Sequence, residues 1–455
     1  MDIIMHNNGF MNVLDYGVVN DGVTNNTQTI KAIIESAEKN GGGTIYFPPG
    51  KYLTGTIELK SDMTLFVDSG AYIMGSPDPA DYPMITKETL KGYNREGHSG
   101  LIKAMNAERV TVTGRGVIDG QGYHWWHNPK NEHRPRAIQF INCSNVLIEG
   151  ITILNSAMWT VHPICCSNVT IDGISIKNPS DSPNTDGINP ESCSNVHISN
   201  CTIDVGDDCL TLKSGTEDDE LQKAHACENI VVTNCTMLNG HGGVVIGSEM
   251  SGGVKNITIS NCVFNGTDRG IRFKTRRKRG GSIEDVVISN IIMTNILVPF
   301  VINGYYQCGG ASEDDMSLFS LEKLPVVENT PYIRNINISN IRATKVTASA
   351  GYIYMIPEMP VSGMTVSNYS IDMIDTDGKL KDKPIMAFHA PFTKGEGFFC
   401  ANIKDSTFRN ISVKVINGCG MEFENAEGVQ VSEVRYEGPA EPIKLNDGAD
   451  VKMSY

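Results

Sequence analysis

An all-β, single-domain right-handed parallel β-helix with a short N-terminal capping helix is the fold this sequence predicts, and three observations predict it. One phrase recurs through most of the chain, each copy alternates with period two, and the 455 residues include 45 Gly with only 7% aromatics. The phrase is a polar residue, then Asn, then alternating apolar positions. It reads CSNVLIEGITI from Cys143, CSNVTIDGISI from Cys166, CSNVHISNCTI from Cys193 and CENIVVTNCTM from Cys227. It continues as KNITISNCVF from Lys255, EDVVISNIIM from Glu284 and RNINISNIRA from Arg334, with fainter copies from Gly363, Asp405 and Gly428. The anchoring apolar residues Val146, Val169, Val196, Ile230, Ile257 and Val286 are 23, 27, 34, 27 and 29 residues apart. A fixed core with a variable remainder means strands stacked coil on coil, with length changes absorbed in loops.

Each element has its own reason. Residues 26–40 place Ile30, Ile33, Ile34 and Ala37 at helical spacing before three glycines, so a helix is expected there, capping the N-terminal end. The repeats are rich in Val, Ile and Thr in period two, which is strand patterning. One such unit cannot bury its apolar face alone, whereas stacked units share a continuous core. Coils above 20 residues with several short strands favour the parallel β-helix over hexapeptide solenoids. Length alone, at roughly 150 residues per domain, would suggest about three domains. The repeat replaces them with one domain over residues 1–455, its cap region at about 10–45 and its stacked coils at about 100–440.

Repeat positions also account for the twelve cysteines. Cys143, Cys166, Cys193 and Cys227 share one position, and Cys201, Cys235 and Cys262 another, so they are expected to form buried ladders rather than disulfides. No C-x-x-C pair suggests zinc. Asn145, Asn168, Asn195, Asn229 and Asn256 are expected to form a ladder of turns. The net charge of −14 argues against nucleic acid or an anionic membrane as a partner, while a locally basic cleft for an acidic substrate remains compatible with it. No apolar run approaches the roughly 20 residues a membrane helix needs. MDIIMHNNGF lacks a basic n-region and an apolar stretch, which predicts a cytoplasmic protein, or a secreted one if a leader has been removed.

Chemistry is sought where the repeat is interrupted. Asn184-Thr185-Asp186-Gly187 is followed by Gly206-Asp207-Asp208-Cys209, with Asp207 21 residues after Asp186, and then by Gly240-His241-Gly242. Coils stack roughly 4.7–4.9 Å apart, so Asp186, Asp207 and Asp208 should cluster on one face with His241 a coil further along. Three carboxylates this close repel, and at least one should hold its proton. A protonated carboxyl beside an ionised one is the equipment for glycoside hydrolysis. Clustered carboxylates also suit calcium, but His241 is a poor calcium ligand, so no metal is expected. In Arg269-Gly270-Ile271-Arg272-Phe273-Lys274, alternation puts Arg272 and Lys274 on one face. Two cations near an acid cluster suit a substrate that carries its own carboxylate. Arg276-Arg277-Lys278-Arg279 reads as a cleft-rim loop able to steer polyanions.

The four motifs in this order resemble the polygalacturonases of glycoside hydrolase family 28, over most of the chain from about Val13. The resemblance implies a pectin-lyase-like solenoid and an inverting hydrolase of α-1,4-D-galacturonosidic linkages. It implies Asp207 as general acid, with Asp186 and Asp208 activating water. His241 would hydrogen-bond within the site and help keep the acid protonated. Arg272 and Lys274 would bind the galacturonate carboxylate and Asn184 would line the site. The family's cleft Tyr corresponds best to Tyr306, with Tyr305 a close rival. No cofactor is implied, and the partner is an acidic oligosaccharide or polysaccharide, galacturonan. GRGVIDGQGYHWW, GSEMSGG and FKTRRKRGG are most like the bacterial exo-acting members. Insertions at 77–100 and 295–331 would wall off one end of the groove and favour action from a chain end. His162, Lys213 and Glu249 are read as either substrate contacts or structural residues. The alternatives are endo action, a rhamnogalacturonan-directed hydrolase, a calcium-dependent pectate lyase, and a non-catalytic carbohydrate-binding solenoid. Oligomeric state is not legible.

Overall fold

The structure, a computed structural model, describes residues 9–127, 133–308, 315–375 and 383–454. The leading residues 1–8 and residues 309–314 of the second insertion lie outside them. Among the described residues no helix is long and apolar enough to cross a membrane. The capping helix runs Thr27–Lys39 and buries Ile30, Ile33, Ile34 and Ala37, the face expected. Asn25 Oδ1 accepts from the Thr27 amide and hydroxyl, so the first turn is held by the residue before the cap. Strands dominate the rest and pair in parallel from coil to coil, the parallel β-helix architecture. The chain divides into two compact units, one reaching Asp208 and including Asp219–Val231, the other comprising Cys209–Asp218 and the chain from Val232.

In the first unit, Glu108–Gly114, Ser144–Glu149, Ser167–Asp172 and Ser194–Ser199 stack with Val110, Val146, Val169 and Val196 in register. A second stack aligns Ile73, Ile118, Ile153, Ile176 and Ile203. A third, Ile57–Leu59, Ile102–Met105, Ile138–Ile141 and Val161–Ile164, ends in isolated bridges from Val161 to Ile188 and from Ile164 to Glu191. Identical residues in register give each coil the same apolar surface as its neighbour, so the core continues without a seam. In the second unit, Ile257, Val286 and Ile336 align in the same way. There a second stack runs from Leu210–Leu212 through Gly242–Gly247, Arg269–Lys274 and Val298–Asn303.

Both expected ladders are present. Asn145, Asn168, Asn195 and Asn229 have φ of 54–58°, a region that Asn tolerates better than other side chains. Asn168, Asn195 and Asn229 each donate a side-chain amide to the Oδ1 of the asparagine before, at 3.3, 3.2 and 3.1 Å. The second unit repeats the device through Asn261, Asn290, Asn340, Asn368 and Asn410. All twelve cysteines are free thiols. Along the first ladder the Cys143 amide donates to Cys166 Sγ and the Cys166 amide to Cys193 Sγ, both at 3.4 Å. Burial raises the Cys166 and Cys193 thiols above their ordinary range, so they are inert neutral groups.

Candidate active site

The first unit holds the carboxylates. Asp186 follows a turn in which Asn184 has φ of 55°. Asp207 and Asp208 follow the strand Thr202–Val205. The Gly187 amide donates to the Asp208 carbonyl at 3.0 Å, tying the two turns together. Gly206 is required for this approach, since a Cβ there would come within 2.6 Å of the Pro179 and Ser182 carbonyl oxygens. One oxygen from each of Asp186, Asp207 and Asp208 lies within 4.8 Å of the others. Asp186 and Asp208 are buried, and Asp207 is half-buried. The expected cluster is therefore present, and such a donor set is chemically able to take a hard cation as well as a proton.

Three side chains around the cluster escape sequence reasoning. Asn189 Nδ2 donates to Asp186 Oδ2 at 3.2 Å from a fully buried position. Arg134 donates to Asn184 Oδ1 at 2.7 Å across 50 residues of chain. Arg136 Nε donates to His162 Nδ1 at 2.9 Å, and His162 Nε2 lies 2.9 Å from Glu191 Oε2. Asn189 could have been found from its place just past the Asp186 motif; nothing in the sequence singles out the two arginines. With Nδ1 accepting from Arg136, His162 is the neutral tautomer that donates to Glu191. Burial pulls its pKa from 6.5 down to about 3, with the hydrogen bond to Glu191 opposing that and Arg136 adding to it. His162 is thus a structural residue of a buried network.

That shift has a sign that can be measured. Because the folded state holds His162 neutral while the unfolded chain protonates it near 6.5, its contribution is present above pH 6.5 and lost as the pH falls toward 3. Melting curves should show the wild-type Tm falling more steeply through that window than the Tm of His162→Gln. Parallel slopes would remove His162 from the acid sensitivity of the fold.

The insertion at 77–100 is docked onto the same unit. Ile85 and Tyr93 pack with Ile141 and Ile164 in a satellite core. Arg95 pairs with Glu191 at 2.7 Å and Asp219 at 2.8 Å.

The second unit holds the cations. On Arg269–Lys274, Phe273 points into the core against Phe300, with ring centroids 5.9 Å apart. Arg272 and Lys274 lie over the ring of Tyr306, at 5.7 and 5.1 Å from its centroid. Both tyrosines are buried, but Tyr305 lies against Tyr354 and beneath Arg277, so it is Tyr306 that accompanies the two cations. Arg272 also donates to Met386 Sδ at 2.8 Å. His241 is exposed, with Nδ1 2.8 Å from Asp268 Oδ2, a partner 27 residues on that coil counting could have located. Lys213 and Glu249 pair with each other at 2.9 Å.

The basic run 276–279 departs from expectation. Arg276 and Arg279 pair with Glu217 at 3.0 and 2.6 Å, and Arg277 is gripped by both oxygens of Glu358. All three are buried, and only Lys278 is exposed. Guanidiniums buried and gripped by carboxylates inside the fold do not steer polyanions; this run is a structural clamp.

Comparison with known proteins follows the same lines. Residues 83–390 match the family model for glycosyl hydrolases family 28. A probable polygalacturonase of Vitis vinifera is 34% identical over 374 residues, covering 79% of this chain and 74% of its own. The crystal structure of a hyperthermoactive exopolygalacturonase from Thermotoga maritima is similar with a TM-score of 0.68 and 32% identity, over 79% of this chain and 86% of that one. An endo-polygalacturonase of Pectobacterium carotovorum is 28% identical over 272 residues, covering 56% of this chain and 66% of its own.

Proposed function

The chain belongs to the family 28 glycosyl hydrolases, and from that premise we propose that it cleaves α-1,4-D-galacturonosidic linkages of galacturonan oligomers, from a chain end and with inversion. The observation that carries the proposal is the three-carboxylate cluster, whose oxygens lie within 4.8 Å of one another. Full ionisation at that spacing is disfavoured, so a proton is available to the group with most access to substrate, Asp207. Asp207 gives it to the glycosidic oxygen as the C–O bond breaks. Asp186 and Asp208 draw a proton from water as its oxygen bonds to the anomeric carbon from the opposite face. The same reading gives His241 a supporting part in keeping the acid protonated. It assigns Asn184 to the lining of the site, and Arg272, Lys274 and Tyr306 to the substrate's carboxylate and ring.

Inverting pairs usually stand roughly 6.5–9.5 Å apart, with room for water between acid and base. Here the spacing is shorter; with a third carboxylate present, Asp186 and Asp208 hold the water between them, on the face of the anomeric carbon opposite the leaving oxygen that Asp207 protonates. Exo action is supported by the docked insertion at 77–100 and by the likeness to the Thermotoga enzyme.

The test is a product time course on an end-labelled galacturonate oligomer, with and without chelator, followed by NMR of the new anomer. Stepwise release of saturated monogalacturonate as its β anomer, indifferent to chelator, is expected. Mid-chain fragments would reverse the exo reading, and an α anomer would make the mechanism retaining. Unsaturated, calcium-dependent products would overturn hydrolysis itself.

A further inference from the structure

The first unit contains two arginines that no carboxylate pairs among the described residues. Arg136 is 4% exposed, yet its only hydrogen bond among the described residues goes to a neutral histidine, through Nε. Its guanidinium carbon lies 5.4 Å from the centroid of the Trp159 ring. Arg134 donates to the carbonyls of Ala157 and Pro183 and to the Asn184 amide oxygen, all uncharged. Burial, and then the like charge of Arg136, lower the Arg134 pKa from its ordinary range. Arg95, on the same Trp159 ring at 5.5 Å, shows the contrast, since Glu191 and Asp219 neutralise it. Neither Arg134 nor Arg136 has a carboxylate partner among the described residues.

A buried charge without a counterion is costly, and a fold retains one where a ligand completes it. The place is telling. Arg134 is bonded to Asn184, two residues before Asp186, and the Thr160 amide, next to Trp159, donates to the Asp186 carbonyl at 2.8 Å. The missing anion therefore belongs beside the carboxylate cluster, where a planar guanidinium can hold a carboxylate through two parallel bonds. We propose that Arg136 and Arg134 form a second uronate-carboxylate site, distinct from Arg272 and Lys274, which makes the substrate-binding surface of the first unit selective for a galacturonate over a neutral galactose. This rests on the galacturonan reading above.

Calorimetric titration of the Asp207→Asn protein, whose turnover is expected to be slower by about a hundredfold or more, tests it with trigalacturonate and with the fully methyl-esterified trimer. Adding Arg136→Gln should weaken the free acid about tenfold to a hundredfold, the worth of one or two charge-assisted hydrogen bonds, and leave the ester unchanged. Arg136→Lys should fall between, because it keeps the charge and loses the fork. A melting curve accompanies each variant. Should Arg136→Gln not fold, Arg134→Gln, at a more exposed residue, is expected to show the same selective loss. Free-acid affinity unchanged, or acid and ester weakened alike, would overturn the site while leaving the galacturonan reading in place. Failure of the Asp207→Asn protein itself to bind trigalacturonate would bring down both.

Discussion

Asp207→Asn is expected to lower kcat by about a hundredfold to ten-thousandfold, the range a positioned general acid contributes, and to leave the protein folded. The amide is nearly isosteric, and its oxygen can still accept the hydrogen bond that the Asp208 amide now gives to Asp207 Oδ1 at 2.9 Å. What it cannot do is supply a proton to the leaving oxygen. Its effect on stability should run the other way. Removing one of three carboxylates held within 4.8 Å relieves repulsion, so the Tm should stay level or rise. Initial rates on trigalacturonate and a melting curve settle both halves. A folded variant with turnover close to wild type would strip Asp207 of its role and leave the cluster as a structural or cation-binding feature.

Lys274→Ala should raise KM for galacturonate oligomers by about tenfold to a hundredfold, with a smaller fall in kcat. The ammonium lies 5.1 Å from the Tyr306 ring centroid, on the face it shares with Arg272. Losing it removes a point charge that a neutral sugar would not need, so methyl-esterified oligomers should be affected far less than free acids. Folding should be preserved, because the backbone at this position is held by parallel pairing to Gly247 and Asn303 on either side. Gly247 itself has no such tolerance: a Cβ there would meet the Lys274 carbonyl oxygen at 2.1 Å. Unchanged KM and kcat on the free acid would dismiss the carboxylate clamp.

The sequence by itself determined what is periodic. Strand identity, coil register, the asparagine turns and the burial of the cysteines all follow from one phrase repeated. Neighbouring coils present the same residue at the same height, as Val146, Val169 and Val196 do. The carboxylates were legible for the same reason, since a break in the phrase on successive coils has a predictable place. What only the tertiary structure decided is pairing that has no period. Arg134 reaches Asn184, Arg277 reaches Glu358 across 81 residues, and His162 is held neutral between Arg136 and Glu191. These contacts depend on how loops of unequal length fold back over the coils, and on which charges meet once water is excluded. A run of four cations reads in sequence as an exposed basic loop; burial against Glu217 and Glu358 made it a clamp. Two arginines without any sequence signal stand without a carboxylate partner among the described residues, because ionic balance is a property of the packed neighbourhood and not of the residues along the chain.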